Sequence, residues 1–345
     1  MMDDFVSEWT NQRWHIPPDV GELRIAVAGA GKMARQHLEV CRSIKGVRLV
    51  GIANRSSNSA QELAGLFEIE KVFQDVGQML DESRPDAVIV TVSHAATVPV
   101  SSLVLSRGIP CLIEKPAGFS VEETATLARL AKQNGALNMV ALNRRYFSII
   151  HHGMLAVLQQ GPICSVLVEA HEPISDYRSR RDFDAWLYDE WLVANTIHAI
   201  DLLRMIGGDV STVSGFRRNV PQGGETFSAA IAFERGPLGH FVSCWDSCRG
   251  FGLKIMGHGV AAEFWPLEQG FVRYDTGRRI KLRPDSLDID FRPGLYAQDV
   301  SFLEAVATKS PAPFPPSDLG DNQKTMQLIE NLRDLPQLAI NVSSR

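Results

Sequence analysis

Gly29-Ala30-Gly31-Lys32-Met33-Ala34 fits the pattern G-x-G-x-x-G/A, directly after the apolar run LRIAVA and before a stretch with helical spacing. Gly29 permits the tight turn, Gly31 lets the backbone approach a pyrophosphate, and Ala34 lets the helix pack close to the strand. Lys32 and Met33 open that helix, whose free N–H groups attract the pyrophosphate charge. The chemistry implied is dinucleotide binding. NAD sites usually carry an acid at the end of the second strand, for the ribose; this chain has Asn54-Arg55-Ser56-Ser57 there. A phosphate monoester bears about −1.5 to −2 charges near neutral pH, so Arg55 suits a 2′-phosphate and Ser56 and Ser57 can donate to it. The loop favours NADP(H) and leaves NAD(H) open.

Two further positions suit proton chemistry. Lys115, in Ile113-Glu114-Lys115-Pro116, falls at the carboxyl end of a strand, where open parallel sheets bind ligands. Pro116 fixes its own φ and keeps Lys115 out of the helical region. A lysine so held can donate a hydrogen bond to a substrate oxygen, or exchange a proton with it if desolvated. The plainer alternative is a surface lysine. His198 lies on a helical stretch with Asn195 one turn before it and Asp201 one turn after. An imidazole titrating near 6.5 trades protons at neutral pH, and the alternative here is a satisfied core histidine.

The elements that must position these groups alternate. Strands are expected at 23–28, 47–53, 86–92, 109–113 and 137–142, with helices at 32–43, 59–67, 99–106 and 121–134 between them. Buried apolar strands separated by helices make a parallel sheet covered on both faces, doubly wound by the right-handed crossover rule. Beyond Asn143 the rhythm changes. A helix at 151–160, a strand at 163–170 and a helix at about 191–205 lead into repeated strand patterns with glycine turns from 210 to 274. That succession implies a mostly antiparallel sheet. Helices at 296–308 and 322–332 close the chain, joined by a proline-rich surface connection at 309–317. The division is a 1–22 extension containing Trp9 and Trp14, a Rossmann domain at 23–144 and a second α/β domain at 145–345.

The 345 residues suit about two domains. With 35 basic and 40 acidic residues the formal net charge is −5, which gives no global pull toward nucleic acid or anionic lipid. No apolar run approaches the ~20 residues needed to span a bilayer, and the acidic start lacks the apolar core of a signal peptide. Cys41, Cys111, Cys164, Cys244 and Cys248 form no C-x-x-C pair, and reduced thiols in a cytoplasmic protein are expected. No metal site is expected, and no hydrolase or phosphotransfer motif is present.

GAGKMA, Glu114-Lys115-Pro116, Asn143-Arg144-Arg145-Tyr146 and Ile197-His198-Ala199-Ile200-Asp201 appear in an order that resembles the glucose–fructose oxidoreductase / inositol dehydrogenase (Gfo/Idh/MocA) family, over about residues 23 to 335. The resemblance implies an NAD(P)-dependent oxidoreductase acting on sugars, cyclitols or related alcohols and carbonyls, assembled as a homo-dimer or homo-tetramer. It makes Lys115 the characteristic active-site residue and His198 its acid/base partner. Glu114 and Ser93 then belong to the cofactor's surroundings, and Arg145, Tyr146 and Asn195 to the substrate's. For Arg145 a structural ion pair is an equal alternative, and for Tyr177, Trp186, Tyr188 and Trp191 a core role outweighs stacking on a sugar ring. Two departures stand out. Many members have Asp four residues before the histidine, where this chain has Ala194, and often a Pro-Asn after the fourth strand, where it has Ser93-His94. The first departure admits a second reading, an NADP-binding sensor or partner protein without catalysis.

Overall fold

The structure, a computed structural model, describes residues 20–339 except 182, 220–223, 235, 313, 314 and 316. The expectations for Trp9, Trp14 and the rest of 1–19 lie outside the described residues, as does the Ser57 side chain. Among the described residues the chain forms two compact units, one of 20–146 with 286–323 and the other of 147–285 with 324–339.

The first unit is built on six parallel strands: β1 (Leu23–Ala28), β2 (Val47–Ala53), β3 (Val72–Phe73), β4 (Ala87–Val90), β5 (Cys111–Glu114) and β6 (Asn138–Ala141). They are ordered β3-β2-β1-β4-β5-β6, with the direction of winding reversing between β1 and β4. All four residues of β4 are buried, because helices cover both faces of the sheet, and this is why it reads as an unbroken apolar run. The helix Lys32–Ser43 begins and ends where its sequence pattern does and buries Ala34, His37, Leu38, Val40 and Cys41. Neither β3, only two residues long, nor the helix Val76–Ser83, capped by Asp75 accepting from the Gln78 N–H at 2.8 Å, had a sequence expectation. The helix expected at 99 starts earlier, at His94, and carries Pro99 in its second turn at the cost of one backbone bond.

Residues 286–323, read from sequence as part of the second domain, pack with this first sheet. The helix Leu295–Thr308 is apolar on the side of Val300 and Leu303 and joins the same core as Leu38 and Cys41. The proline-rich connection also departs from a purely surface path. Ser317 is buried, accepting from the Val140 N–H (2.7 Å) and donating to the Val140 carbonyl (2.8 Å), which occupies the otherwise unpaired edge of β6.

The second unit has eight strands: β7 (Ile163–His171), β8 (Val210–Asn219), β9 (Glu225–Phe233), β10 (Leu238–Cys244), β11 (Gly250–Gly257), β12 (Val260–Phe264), β13 (Gly270–Tyr274) and β14 (Arg279–Lys281). Their order is β14-β13-β12-β11-β7-β10-β9-β8, antiparallel except where β7 meets β10. In β7, buried Val166, Val168 and Ala170 alternate with less buried Ser165, Leu167 and Glu169. The helices Ser148–Leu158 and Ile197–Gly207 lie on the buried face. The sheet is thus half-covered, with large apolar side chains such as Leu238 and Phe216 left exposed.

Candidate functional site

The carboxyl ends of β1, β2 and β4 frame a cleft of about 550 Å³ in the first unit. Gly29 sits there at φ +107°, and a Cβ at this position would lie 2.5 Å from the Thr91 carbonyl oxygen, so only glycine fits. Gly31 caps the following helix without a side-chain hydrogen bond, and a Cβ on it would meet nothing within 4 Å. Open space therefore faces unpaired backbone donors, the arrangement that suits a pyrophosphate.

Of the sequence candidates, Gly29, Gly31, Lys32, Met33, Asn54, Arg55 and Ser93 line this cleft, while Ser56, Glu114 and Lys115 do not. The Asn54 amide nitrogen donates to the Ser56 carbonyl (2.9 Å) and to Ser59 Oγ (3.1 Å), which leaves its oxygen to accept from a ribose hydroxyl. None of the described lining residues is Asp or Glu, and Lys32 and Arg55 supply positive charge. The residues present fit a nicotinamide dinucleotide.

Lys115 follows β5, with its peptide to Pro116 in the cis form. Its backbone N–H donates to Glu114 Oε2 at 3.1 Å. The other oxygen, Glu114 Oε1, lies 3.1 Å from Nε2 of His37, and Nδ1 of the same ring lies 2.7 Å from Asp299 Oδ2. His37 was not a sequence candidate. Its only signal was a histidine on the inward face of an amphipathic helix, three positions past Ala34.

In the second unit His198 lies in the first turn of Ile197–Gly207, a helix buried along its whole length. A buried helix must satisfy its polar side chains internally. Asp201 accepts from Thr325 Oγ1 (2.9 Å), which in turn accepts from Arg204 Nε (3.0 Å). The single helix expected from 191 is interrupted: Leu192–Thr196 forms a π-helical turn, a form often found at functional sites. Within it Asn195 donates through Nδ2 to both oxygens of Glu172, at 2.9 and 2.7 Å, and Thr196 Oγ1 stands 3.4 Å from Oε1. Glu172, 1 % exposed just past the end of β7, is a second residue that the sequence did not single out.

Two substrate candidates are engaged elsewhere. Arg145, 3 % exposed at its side chain, pairs with Asp321 at 2.6 Å, the structural alternative of the two. Tyr146 is fully buried, its hydroxyl donating to the Pro315 carbonyl at 3.1 Å, and does not present itself to a ligand. Tyr177, Tyr188 and Trp191 pack together as a buried aromatic cluster, with Tyr188 stacked on Trp191 and only Trp186 of the four well exposed. Burial pushes the Tyr177 hydroxyl above its ordinary pKa, with the nearby Arg249 opposing and Glu172 assisting. Among the described residues no three His, Cys, Asp or Glu side chains are grouped to hold a metal, and no helix is long and apolar enough to cross a membrane.

Residues 23–142 match the Gfo/Idh/MocA family, described as an oxidoreductase family with an NAD-binding Rossmann fold. Over 305 residues the chain is 23% identical to D-apiose dehydrogenase of Paraburkholderia graminis, covering 85% of this chain and 74% of that protein. It is 27% identical to a Bacillus subtilis scyllo-inositol 2-dehydrogenase (NADP(+)), over 36% of this chain and 38% of the other. The fold is also that of a dehydrogenase from Chromobacterium violaceum, with a TM-score of 0.79 at 18% identity over 91% of this chain and 94% of that one.

Proposed function

We propose that this chain, a member of the Gfo/Idh/MocA oxidoreductase family through residues 23–142, interconverts an alcohol and a carbonyl on a sugar, cyclitol or related small molecule, with NADP(H) as the favoured cofactor. The observation that carries the cofactor choice is the cleft lined by Lys32 and Arg55 and by no Asp or Glu among the described residues, where a 2′-phosphate meets attraction instead of repulsion. The names of two relatives, an apiose and an inositol dehydrogenase, supply the substrate class. When bound, the nicotinamide supplies the hydride acceptor or donor.

The chain's own residues hold and move the proton. In this reading Lys115 Nζ donates a hydrogen bond to the reacting substrate oxygen, and His198 takes up or returns the proton. Where Ala194 supplies no carboxylate, Glu172 brings a buried one against Asn195, one turn before His198. The half-covered sheet of the second unit, with Leu238 and Phe216 exposed, suits a homo-dimer or homo-tetramer, and a cytoplasmic location agrees with unpaired cysteines.

The test is a panel of sugars, cyclitols, keto-sugars and imines followed at 340 nm with NADPH or NADP. Turnover of at least one is expected, and silence across the panel favours a sensor that binds the nucleotide without chemistry. With an active substrate, Lys115→Met should cut turnover by roughly 10²-fold or more while NADPH affinity stays near wild type. Unchanged turnover ends the assignment of Lys115.

A further inference from the structure

The helix after the glycine turn faces the core with Ala34, His37, Leu38 and Cys41, and His37 is the polar member of that face. Its ring is fully buried, with carboxylate oxygens on both sides: Asp299 Oδ2 at 2.7 Å from Nδ1 and Glu114 Oε1 at 3.1 Å from Nε2. A neutral imidazole has one N–H and one lone pair, so it would set that lone pair against a carboxylate on one side. Only the imidazolium donates to both. The chain of bonds extends further: Gln298 Nε2 donates to Asp299 Oδ1 at 3.0 Å, and the Lys115 N–H donates to Glu114 Oε2 at 3.1 Å.

We propose that His37 is a positioning residue, an imidazolium at neutral pH that fixes the Glu114 carboxylate and, through it, the main chain that presents Lys115. The importance of Lys115 rests on the function proposed above; the charge and clamp of His37 do not.

Three elements bring titratable groups to the ring. Asp299 comes from Leu295–Thr308, Glu114 from β5, and Cys41 from one turn along the histidine's own helix. Burial and the Asp299 charge hold the Cys41 thiol well above its ordinary pKa, so it stays neutral and adds no charge. On His37 itself burial is the largest influence and acts against the charged form. The charge of Asp299, the hydrogen bond to it, and then the bond to Glu114 and its charge outweigh burial and raise the pKa to about 10. The folded value lies above the ordinary 6.5. The stability contributed is therefore full below pH 6.5 and is lost as pH rises toward 10. Without the ring, the buried Asp299 carboxylate would lose its ion-pair partner.

The experiment uses the full chain with ¹⁵N-labelled histidine, the His37 signals being assigned by their loss in His37→Gln. Both ring nitrogens should carry protons at pH 8.5, and a neutral ring at that pH overturns the charge. The clamp is read from hydrogen exchange of the Lys115 amide, which should speed up by about tenfold or more in His37→Gln, as loss of a charge-assisted bond implies. Unchanged exchange in a variant that still binds NADPH overturns the clamp. Should His37→Gln not fold, Asp299→Asn keeps the shape of the cluster and should move the ring's titration to lower pH; an unmoved titration also overturns the proposal. With an active substrate, kcat should fall about tenfold at unchanged KM for NADPH. If Lys115→Met leaves turnover intact while the amide and ring signals behave as stated, the function proposed for Lys115 fails and the clamp stands.

Discussion

The nucleotide cleft and the surroundings of His198 are built from different materials. The cleft is mostly backbone: a glycine at φ +107°, free N–H groups at a helix start and the ends of three parallel strands. The His198 helix depends on side chains meeting inside a packed core, with Asp201 held by Thr325, 124 positions away, and Asn195 held by Glu172, 23 positions away. A backbone-built site tolerates the loss of most single side chains because its donors remain. A side-chain-built site does not, because removing one partner leaves a buried polar group unsatisfied, at a cost of about 1–3 kcal/mol.

Glu172→Gln tests that contrast with the largest expected effect. Glutamine keeps the volume but turns an amide NH₂ toward the Asn195 Nδ2, which now donates to both carboxylate oxygens. A donor facing a donor disturbs the π-helical turn one step before His198. Turnover should fall by about 10- to 100-fold, the kinetic equivalent of that cost, with NADPH affinity by fluorescence titration within about twofold. Unchanged turnover would show that the buried carboxylate serves packing alone, and the two regions would then differ in construction but not in sensitivity.

The same difference explains what the sequence disclosed. All the Rossmann strands except the two-residue β3 were legible because a covered parallel strand is a local apolar run, and the glycine turn because its φ and close approach demand specific residues. Lys115 and His198 were singled out by their motifs. His37, Glu172 and Asp299 were not, because each draws its role from partners that only the fold brings near, 262 positions apart for His37 and Asp299. The return of 286–323 to the first sheet was hidden for the same reason. A largely apolar, buried helix such as Leu295–Thr308 announces that it packs, but not against what.

Arg55→Ala probes a cleft feature that rests on a side chain. A charge-assisted bond to a 2′-phosphate is worth roughly 1.5–3 kcal/mol, reduced by solvent at an exposed position. The variant should weaken NADPH about tenfold and NADH by less than twofold, measured as Kd for each. Equal losses for both cofactors would mean that Arg55 shapes the cleft without reading the phosphate, and the preference for NADP(H) would fall.

Tyr146→Phe has the smallest expected effect and places the boundary between the two kinds of construction. The tyrosine ends the first unit fully buried, and its hydroxyl donates to the Pro315 carbonyl at 3.1 Å, with Met139 Sδ at 3.6 Å. Phenylalanine fills the same space and leaves the carbonyl without this donor, a loss of about 1 kcal/mol. For domains of this size that lowers Tm by roughly 2–4 °C. Turnover and KM for the substrate should not move, because the hydroxyl is satisfied inside its own unit and contributes only to the packing that holds 315 against β6. A KM that rises several-fold at unchanged Tm would reverse the inference, returning Tyr146 to the substrate's surroundings and making side chains, as well as backbone, part of what the first unit offers a ligand.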